Sequence, residues 1–103
     1  ALRPGGLLVQ QSESPLALMK LILDMRQAMS DAGFVEFRTL PFPQPCYPTG
    51  WWSCTIASKE ARDLTAFRSA DAAAKAFPTR YYTAAVHQGA LAMPPIMSDA
   101  LGE

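Results

Sequence analysis

The chain has 103 residues, of which 50% are hydrophobic and 17% are charged, which is the composition of one globular domain and not of a disordered chain. Nine basic and nine acidic residues give a net charge of zero. Because nucleic acids and anionic membranes both attract a concentrated positive field, we expect neither as a partner. No apolar run approaches the roughly 20 residues that span a bilayer, and we expect no secretory leader.

Thiol and imidazole groups are few. Cys46 and Cys54 lie eight residues apart, a spacing that fits neither a zinc knuckle nor a redox pair, and the single His87 completes no cluster. We therefore expect no metal site and two thiols in a reducing compartment, although a disulfide across a hairpin stays open. His87 is interpreted as a structural hydrogen-bonding residue rather than as a general base.

A turn and a short apolar run open the chain. Residues 3–6 (RPGG) combine proline with glycine and predict a turn, so that Ala1 and Leu2 would end a preceding helix. Residues 7–9 (LLV) are all apolar, which is typical of a strand covered on both faces in a mostly parallel sheet. Only two further strand candidates follow, so this sheet is expected to be incomplete.

The longest helix is predicted over residues 16–32. Ser14 and Pro15 form a helix start, with a hydroxyl to cap free N–H groups and proline at the first helical position. Gly33 is expected to end the helix, because glycine adopts the left-handed conformation easily. Its apolar stripe has helical spacing: Leu18, Ile22, Met25 and Met29.

Two strands and a proline-rich segment follow. Residues 34–39 alternate as a strand, and residues 40–50 (LPFPQPCYPTG) are predicted to be a stiff loop, because proline donates no ladder hydrogen bond. Residues 51–58 form the third predicted strand, with Trp52, Cys54 and Ile56 on its apolar face. Strand, helix, strand, loop and strand make an α/β pattern. Short helices are predicted over residues 71–77, from Thr83 to Gly89, and from the Pro94-Pro95 pair through Leu101.

Two places carry side chains suited to a ligand. Gln10, Gln11 and Glu13 follow the first strand at its carboxyl end, where open α/β sheets bind ligands, although they would also suit a solvated turn. Tyr47 lies in the proline-rich turn, where packing explains it less easily, whereas Trp52 is interpreted as a lid on the core. The residue types alone support an α/β domain with a polar pocket.

Three segments follow one another along the chain: RPGGLLVQQSES at residues 3–14, PFPQPCYPTGWWSCTIASK at 41–59 and RYYTAAVHQGALAMPP at 80–95. Their order and spacing resemble the C-terminal part of the polyamine aminopropyltransferase (spermidine synthase) family. In that family a PGG turn leads into a strand that ends in glutamine, with a glutamate two residues later, as Gln11 and Glu13 do here. A P-x-Y-P-[ST]-G turn is matched by residues 45–50. The following strand often carries tryptophan at its second position, matched by Trp52, and it ends in SK, matched by residues 58–59.

The resemblance implies a Rossmann-like fold of the S-adenosylmethionine-dependent methyltransferase type. It also implies transfer of an aminopropyl group from decarboxylated S-adenosylmethionine, as co-substrate, to putrescine or a related diamine, with no prosthetic group. By the same resemblance, Tyr47 would hydrogen-bond the attacking amine, and Gln11 would help to position the diamine through water. Trp51, through cation–π attraction, and Glu13 are expected as pocket walls.

The resemblance also implies what these residues do not contain. The family's catalytic aspartate and nucleotide-binding half precede the PGG turn, so we expect the base upstream of Ala1 and no catalytic residue in this chain. Residues 1–58 would form a core of sheet and helix, and residues 59–103 a helical tail. The complete protein is expected to be a cytoplasmic homodimer. The alternative is a non-enzymatic binding or assembly module derived from such an enzyme.

Overall fold

A computed structural model describes residues 2–103, so the expected helix end at Ala1 lies outside it. The order of elements confirms the predicted strand, helix, strand, loop and strand followed by short helices. These elements are β1 (Leu7–Gln11), α1 (Met19–Asp31), β2 (Glu36–Pro43), β3 (Trp51–Ser58), α2 (Ser69–Ala74), α3 (Ala84–Leu91) and α4 (Pro95–Leu101).

The three strands form one sheet in the order β1-β3-β2, and β3 pairs antiparallel with both neighbours. The expectation of a mostly parallel sheet is therefore wrong for the hydrogen-bonded neighbours. Since only residues 44–50 separate β2 from β3, the chain can only reverse there, and β3 returns antiparallel. β1 and β2 run parallel to each other, with the last strand inserted between them.

β1 is more exposed than predicted. Among residues 2–103 its only strand neighbour is β3, and Leu7 and Val9 are 44% and 60% exposed. Leu8 packs against the core cluster formed by Met29, Phe34 and Ala57. The apolar run therefore marks a strand that is covered on one face here and not on both.

β2 continues through two prolines, so the prediction of a loop from residue 40 onward is wrong for residues 40–43. The backbone N–H of Thr39 donates to the Glu103 side chain at 3.0 Å, which shows that this N–H points away from β3. Pro41 and Pro43 follow at alternate positions, so their nitrogens lie on the same outer edge. There proline removes no ladder hydrogen bond and is tolerated.

The buried face of β3 is the opposite of the predicted one. Ser53, Thr55 and Ala57 are fully buried, whereas the predicted apolar face of Trp52, Cys54 and Ile56 is only half-buried. Helix α1 packs on the first face, where small residues allow it to approach and where the hydroxyl groups hydrogen-bond to one another.

Helix α1 begins four residues after Pro15, the predicted first helical position. It starts at Met19 after Leu18, with no side-chain cap, because the Ser14 hydroxyl bonds instead to the Thr49 hydroxyl at 2.8 Å. Its end is confirmed: the helix stops at Asp31, and Gly33 has φ of 94°.

The tail contacts the sheet and then α1. The Thr83 hydroxyl caps α3 by accepting from the Val86 N–H at 3.0 Å, as predicted, but the helix continues past Gly89 to Leu91. Helix α4 starts at the second proline of the predicted Pro94-Pro95 pair and ends at Leu101 as predicted, whereas α2 is shorter than the predicted helix and starts earlier. No helix within residues 2–103 has the length and apolar character needed to cross a bilayer. The division into residues 1–58 and 59–103 stays a prediction.

Candidate functional site

Tyr47 lies in a turn that three backbone hydrogen bonds close. The N–H of Gln44 donates to the carbonyl of Gly50 at 2.8 Å, that of Tyr47 to Gln44 at 3.1 Å, and that of Gly50 to Tyr47 at 2.9 Å. Gly50 has φ of 68°, a conformation that a glycine adopts without steric cost. Together with the flanking prolines, these bonds hold Tyr47 in one place.

The Tyr47 ring contacts Trp52. The ring centroids are 4.3 Å apart at an interplanar angle of 40°, and Tyr47 remains 40% exposed. The Trp52 indole Nε1 is buried and has no hydrogen-bond partner among the described residues. The interpretation of Trp52 as a lid on the core therefore missed its contact with Tyr47. The position of Trp52 near the start of β3, close to the Tyr47 turn, was the signal in the sequence that could have indicated this contact.

Gln11 shares a sheet face with this aromatic pair. It is exposed and lies opposite Cys54 in the β1–β3 register, and Trp52 is two residues from Cys54 on the same face. Such diagonal neighbours lie roughly 7–8 Å apart, within reach of long side chains. The fold thus brings Gln11 and Tyr47 to the same face and the same end of the sheet.

Glu13 follows Gln11 in a backbone conformation that is unusual for its residue type. Its φ is 64°, the only positive value at a non-glycine residue within residues 2–103, and such a conformation costs about 1 kcal/mol or more. The Ser53 hydroxyl donates to the Glu13 carbonyl at 2.8 Å and holds it there. Gln10, Gln11 and Glu13 line one side of a cleft of about 210 Å³ that α1 closes with Ile22 and neighbouring apolar residues, and Tyr47 and Trp52 do not line this cleft.

A hydrogen bond joins the two predicted halves of the site. Ser14, which is 2% exposed, bonds through its hydroxyl to Thr49 at 2.8 Å. The Thr49 hydroxyl in turn donates to the Trp51 carbonyl at 2.8 Å. Because Ser14 follows Glu13 and Thr49 belongs to the Tyr47 turn, this contact ties the segment after β1 to that turn.

Trp51 is not brought to Tyr47. It pairs with Pro43 across the sheet and lines a separate cleft of about 120 Å³ with residues 41–43, Gly89 and Ala92. Of the two tryptophans, Trp52 is therefore the one that contacts Tyr47.

The two cysteine thiols and the His87 imidazole lie in separate local environments. Cys46 is exposed and Cys54 half-buried, and neither forms a disulfide. Burial raises the pKa of the Cys54 thiol. His87 stacks on Phe67 with centroids 3.9 Å apart, and its Nδ1 bonds to the Tyr82 hydroxyl at 2.9 Å. Residues 2–103 contain no group of three or more His, Cys, Asp or Glu side chains that could hold a metal ion.

The arrangement suits an amine ligand. A phenol and an amide can accept hydrogen bonds from an ammonium or an amine, a carboxylate can pair with its charge, and an aromatic ring can attract a cation. None of these groups is arranged as a nucleophile with a base.

Comparison with known proteins identifies the family of the chain. A family model described as the spermine/spermidine synthase domain matches residues 1–68. Over all 103 residues the chain is 64% identical to a polyamine aminopropyltransferase from Xanthomonas campestris pv. campestris (strain B100), and 61% identical to one from Xylella fastidiosa (strain M12). The chain spans only 36% of the length of each of these relatives.

Solved structures share the fold. The spermidine synthase from Thermotoga maritima superposes with a TM-score of 0.78 at 25% identity, over 94% of this chain and 34% of that one. A spermidine synthase in complex with the transition-state analogue AdoDATO gives the same TM-score of 0.78 and the same 25% identity and coverage. The fold of this chain is thus that of one part of a Rossmann-like domain, and the chain belongs to the spermine/spermidine synthase family.

Proposed function

We propose that the complete protein containing these residues is a polyamine aminopropyltransferase that forms spermidine from putrescine or makes the related product from another diamine. The aminopropyl donor is decarboxylated S-adenosylmethionine, and these residues supply the amine-binding side of the site. Family membership and the names of the relatives support this reaction class, and the site geometry supports the assignment of the amine side.

The reaction defines what the site must do. The lone pair of an uncharged amine attacks the propyl carbon bonded to the sulfonium, the carbon–sulfur bond breaks, and sulfur keeps the electron pair as methylthioadenosine. The new ammonium then loses a proton. Since alkylammonium groups have pKa values near 10, a carboxylate base and groups that orient the amine are needed. The proposed base is an aspartate upstream of Ala1.

Tyr47 is the proposed partner of the attacking nitrogen. Its turn is rigid, its ring contacts Trp52, and its hydroxyl belongs to a half-exposed side chain. Gln11 would position the diamine through water, and Glu13 would form a wall of the pocket. Trp51 was the expected aromatic wall, but we propose Trp52 for that part because its ring is the one in contact with Tyr47.

The Ser14–Thr49 hydrogen bond carries this proposal, because it joins the Tyr47 turn to the segment that bears Gln11 and Glu13. The test measures methylthioadenosine release by the complete protein with putrescine and with other diamines. The variant Tyr47→Phe should lower kcat/KM for the amine about 10- to 100-fold, as loss of one hydrogen bond to the reacting group does.

The matched control is Tyr81→Phe, at a tyrosine that is 63% exposed in the tail; it should leave kcat/KM unchanged. If the complete protein releases no methylthioadenosine with any diamine, the proposed reaction is wrong. If it does so and Tyr47→Phe is as active as the parent, the assignment of Tyr47 is wrong.

We also propose that the complete protein is a homodimer that acts in the cytoplasm, as the resemblance implies. The alternative of a non-enzymatic assembly module predicts a protein that completes the sheet of a partner and shows no transfer. Light scattering on the preparation used for the activity measurement gives the oligomeric state.

A further inference from the structure

Four buried hydroxyl groups form a continuous chain across the sheet beneath the candidate site. Thr39, Thr55, Ser12 and Ser53 are each 2% exposed or less. Successive hydroxyl oxygens in that order are 2.9, 3.0 and 2.8 Å apart, and Ser53 then reaches the Glu13 carbonyl at 2.8 Å. The chain thus starts on β2, crosses β3 and ends on the segment that follows β1.

The donors of this chain all point the same way. A hydroxyl has one proton, and that of Ser53 faces two backbone carbonyls, Glu13 at 2.8 Å and Ser12 at 3.1 Å, of which Glu13 is the nearer. Since the proton goes to a carbonyl, the Ser53 oxygen accepts from the Ser12 hydroxyl. Ser12 has then used its proton and accepts from Thr55. Thr55 in turn accepts from Thr39. Such one-directional chains polarise one another, which strengthens the last hydrogen bond, the one to Glu13.

The hydroxyl chain ends at the strained residue of the site. Glu13 adopts a left-handed conformation that its residue type disfavours, and a strained backbone persists only when surrounding contacts hold it. Its carbonyl receives the Ser53 hydroxyl, and the next residue, Ser14, is fixed by Thr49. Glu13 shares its cleft with Gln11, so its backbone conformation decides how the carboxylate is presented there.

We propose that Ser53 is a positioning residue for amine recognition: it holds Glu13 in the left-handed conformation in which its carboxylate serves the cationic amine. Ser53 does not touch the amine; it acts through Glu13. The amine is assigned here only by the proposed function, on which this part of the inference rests. The conformational part, that Ser53 holds Glu13 left-handed, stands on the hydrogen bonds alone.

The experiment compares two buried serines of β3 in the complete protein. Ser53→Ala removes the hydroxyl that reaches Glu13. The control Ser58→Ala removes a hydroxyl on the same strand with the same 0% exposure, whose acceptor is the Glu60 carbonyl at 2.8 Å. Each hydroxyl donates to a backbone carbonyl and accepts a second hydrogen bond, Ser53 from the Ser12 hydroxyl at 2.8 Å and Ser58 from the Glu60 N–H at 3.1 Å. Both variants therefore lose one donated and one accepted hydrogen bond, and their losses of stability should be similar.

Ser53→Ala should raise KM for the diamine about tenfold, the change that corresponds to one net hydrogen bond of about 1.4 kcal/mol. The KM for the sulfonium donor should stay as in the parent, and Ser58→Ala should change neither value. Adding Glu13→Gln to Ser53→Ala should cause little further loss, whereas Glu13→Gln alone should raise KM for the diamine. Additive effects of the two substitutions, or an equal effect of Ser58→Ala, would overturn the proposal.

A structure of the Ser53→Ala protein separates this inference from the reaction. We expect Glu13 to relax to negative φ in that variant. A left-handed Glu13 in the variant overturns the positioning role, whatever the enzyme's activity. A complete protein that transfers no aminopropyl group overturns the proposed function and, with it, the assignment of an amine as the ligand of Glu13, even where Glu13 has relaxed.

Discussion

The two thiols differ in the chemistry they offer. Cys46 is exposed in the Tyr47 turn, and Cys54 is half-buried on β3, where burial raises the pKa of its thiol. The thiolate is the reactive form, so a raised pKa and poor access both slow modification. Cys46 is therefore the accessible thiol beside the proposed amine partner.

We predict that iodoacetamide at pH 8 modifies Cys46 of the native protein well before Cys54. Peptide mass spectrometry at successive times measures both rates, and unfolding in urea should remove the difference. Burial also favours the protonated thiol of Cys54 in the folded protein. The resulting contribution to the free energy of unfolding is present below the ordinary thiol pKa and is lost as the pH rises through the raised pKa of Cys54. Equal rates in the native protein would contradict the burial of Cys54.

The sequence predicted those residues of the site that belong to a recognisable motif. Tyr47 and Gln11 were singled out by the resemblance, and the fold brings them to one sheet face. Trp52 was assigned to the core because alternation suggested that its face is buried. The Ser14–Thr49 bond joins side chains 35 residues apart, and no periodicity in a sequence reports a contact of that kind.

The outer edge of β2 is held by the end of the tail. The Glu103 Oε1 accepts from Arg26 Nη1 at 2.8 Å and from the Thr39 N–H at 3.0 Å, and its side chain is 6% exposed. Loss of this carboxylate would leave a half-buried guanidinium and a backbone N–H without their partner. Helix α4 places Glu103 there because Gly102, with φ of 69°, turns the chain after Leu101.

We predict that Glu103→Ala lowers the free energy of unfolding of the complete protein by about 2–4 kcal/mol, since it breaks a buried ion pair and a backbone hydrogen bond. The contrast is Asp24→Ala, which breaks the Lys20–Asp24 pair. That pair is shorter, at 2.6 Å, but its side chains are 87% and 59% exposed, so the change should stay within about 0.5 kcal/mol. Urea unfolding measures both, and equal losses would contradict the role given to burial.

At the scale of elements, alternation predicted β3 to the residue, and the capping threonine of α3 was found as well. The same alternation predicted an end of β2 that is too early. Prolines can occupy a strand where their nitrogens face the edge of the sheet, and the sequence alone does not show on which side of β2 that edge lies. That is a tertiary property, set here by β3 on one side and Glu103 on the other. The start of α1 was misplaced for a similar reason: Ser14 has a distant partner that a local capping pattern does not reveal.

For the whole molecule, we predict that residues 1–103 expressed alone release no methylthioadenosine and associate with themselves. The proposed base lies outside these residues, and within residues 2–103 no strand pairs with the outer edge of β1, where Leu7 and Val9 are exposed. Size-exclusion chromatography with light scattering and the activity measurement check both parts. Turnover by this piece would place a base within it, and a monodisperse monomer would show that the β1 edge does not pair.

The two edges of the sheet differ in their capacity to pair with a further strand. Pro41 and Pro43 offer no donors, and Glu103 occupies the Thr39 N–H. In the part of the chain that the structure describes, the β1 edge is therefore the one left to accept another strand. A cross-β fibre needs both edges, because each chain must pair above and below, whereas one open edge allows a single closed pair. Exposure of this domain by proteolysis or stalled folding should therefore end in dimers, and its prolines act as a stop to further growth.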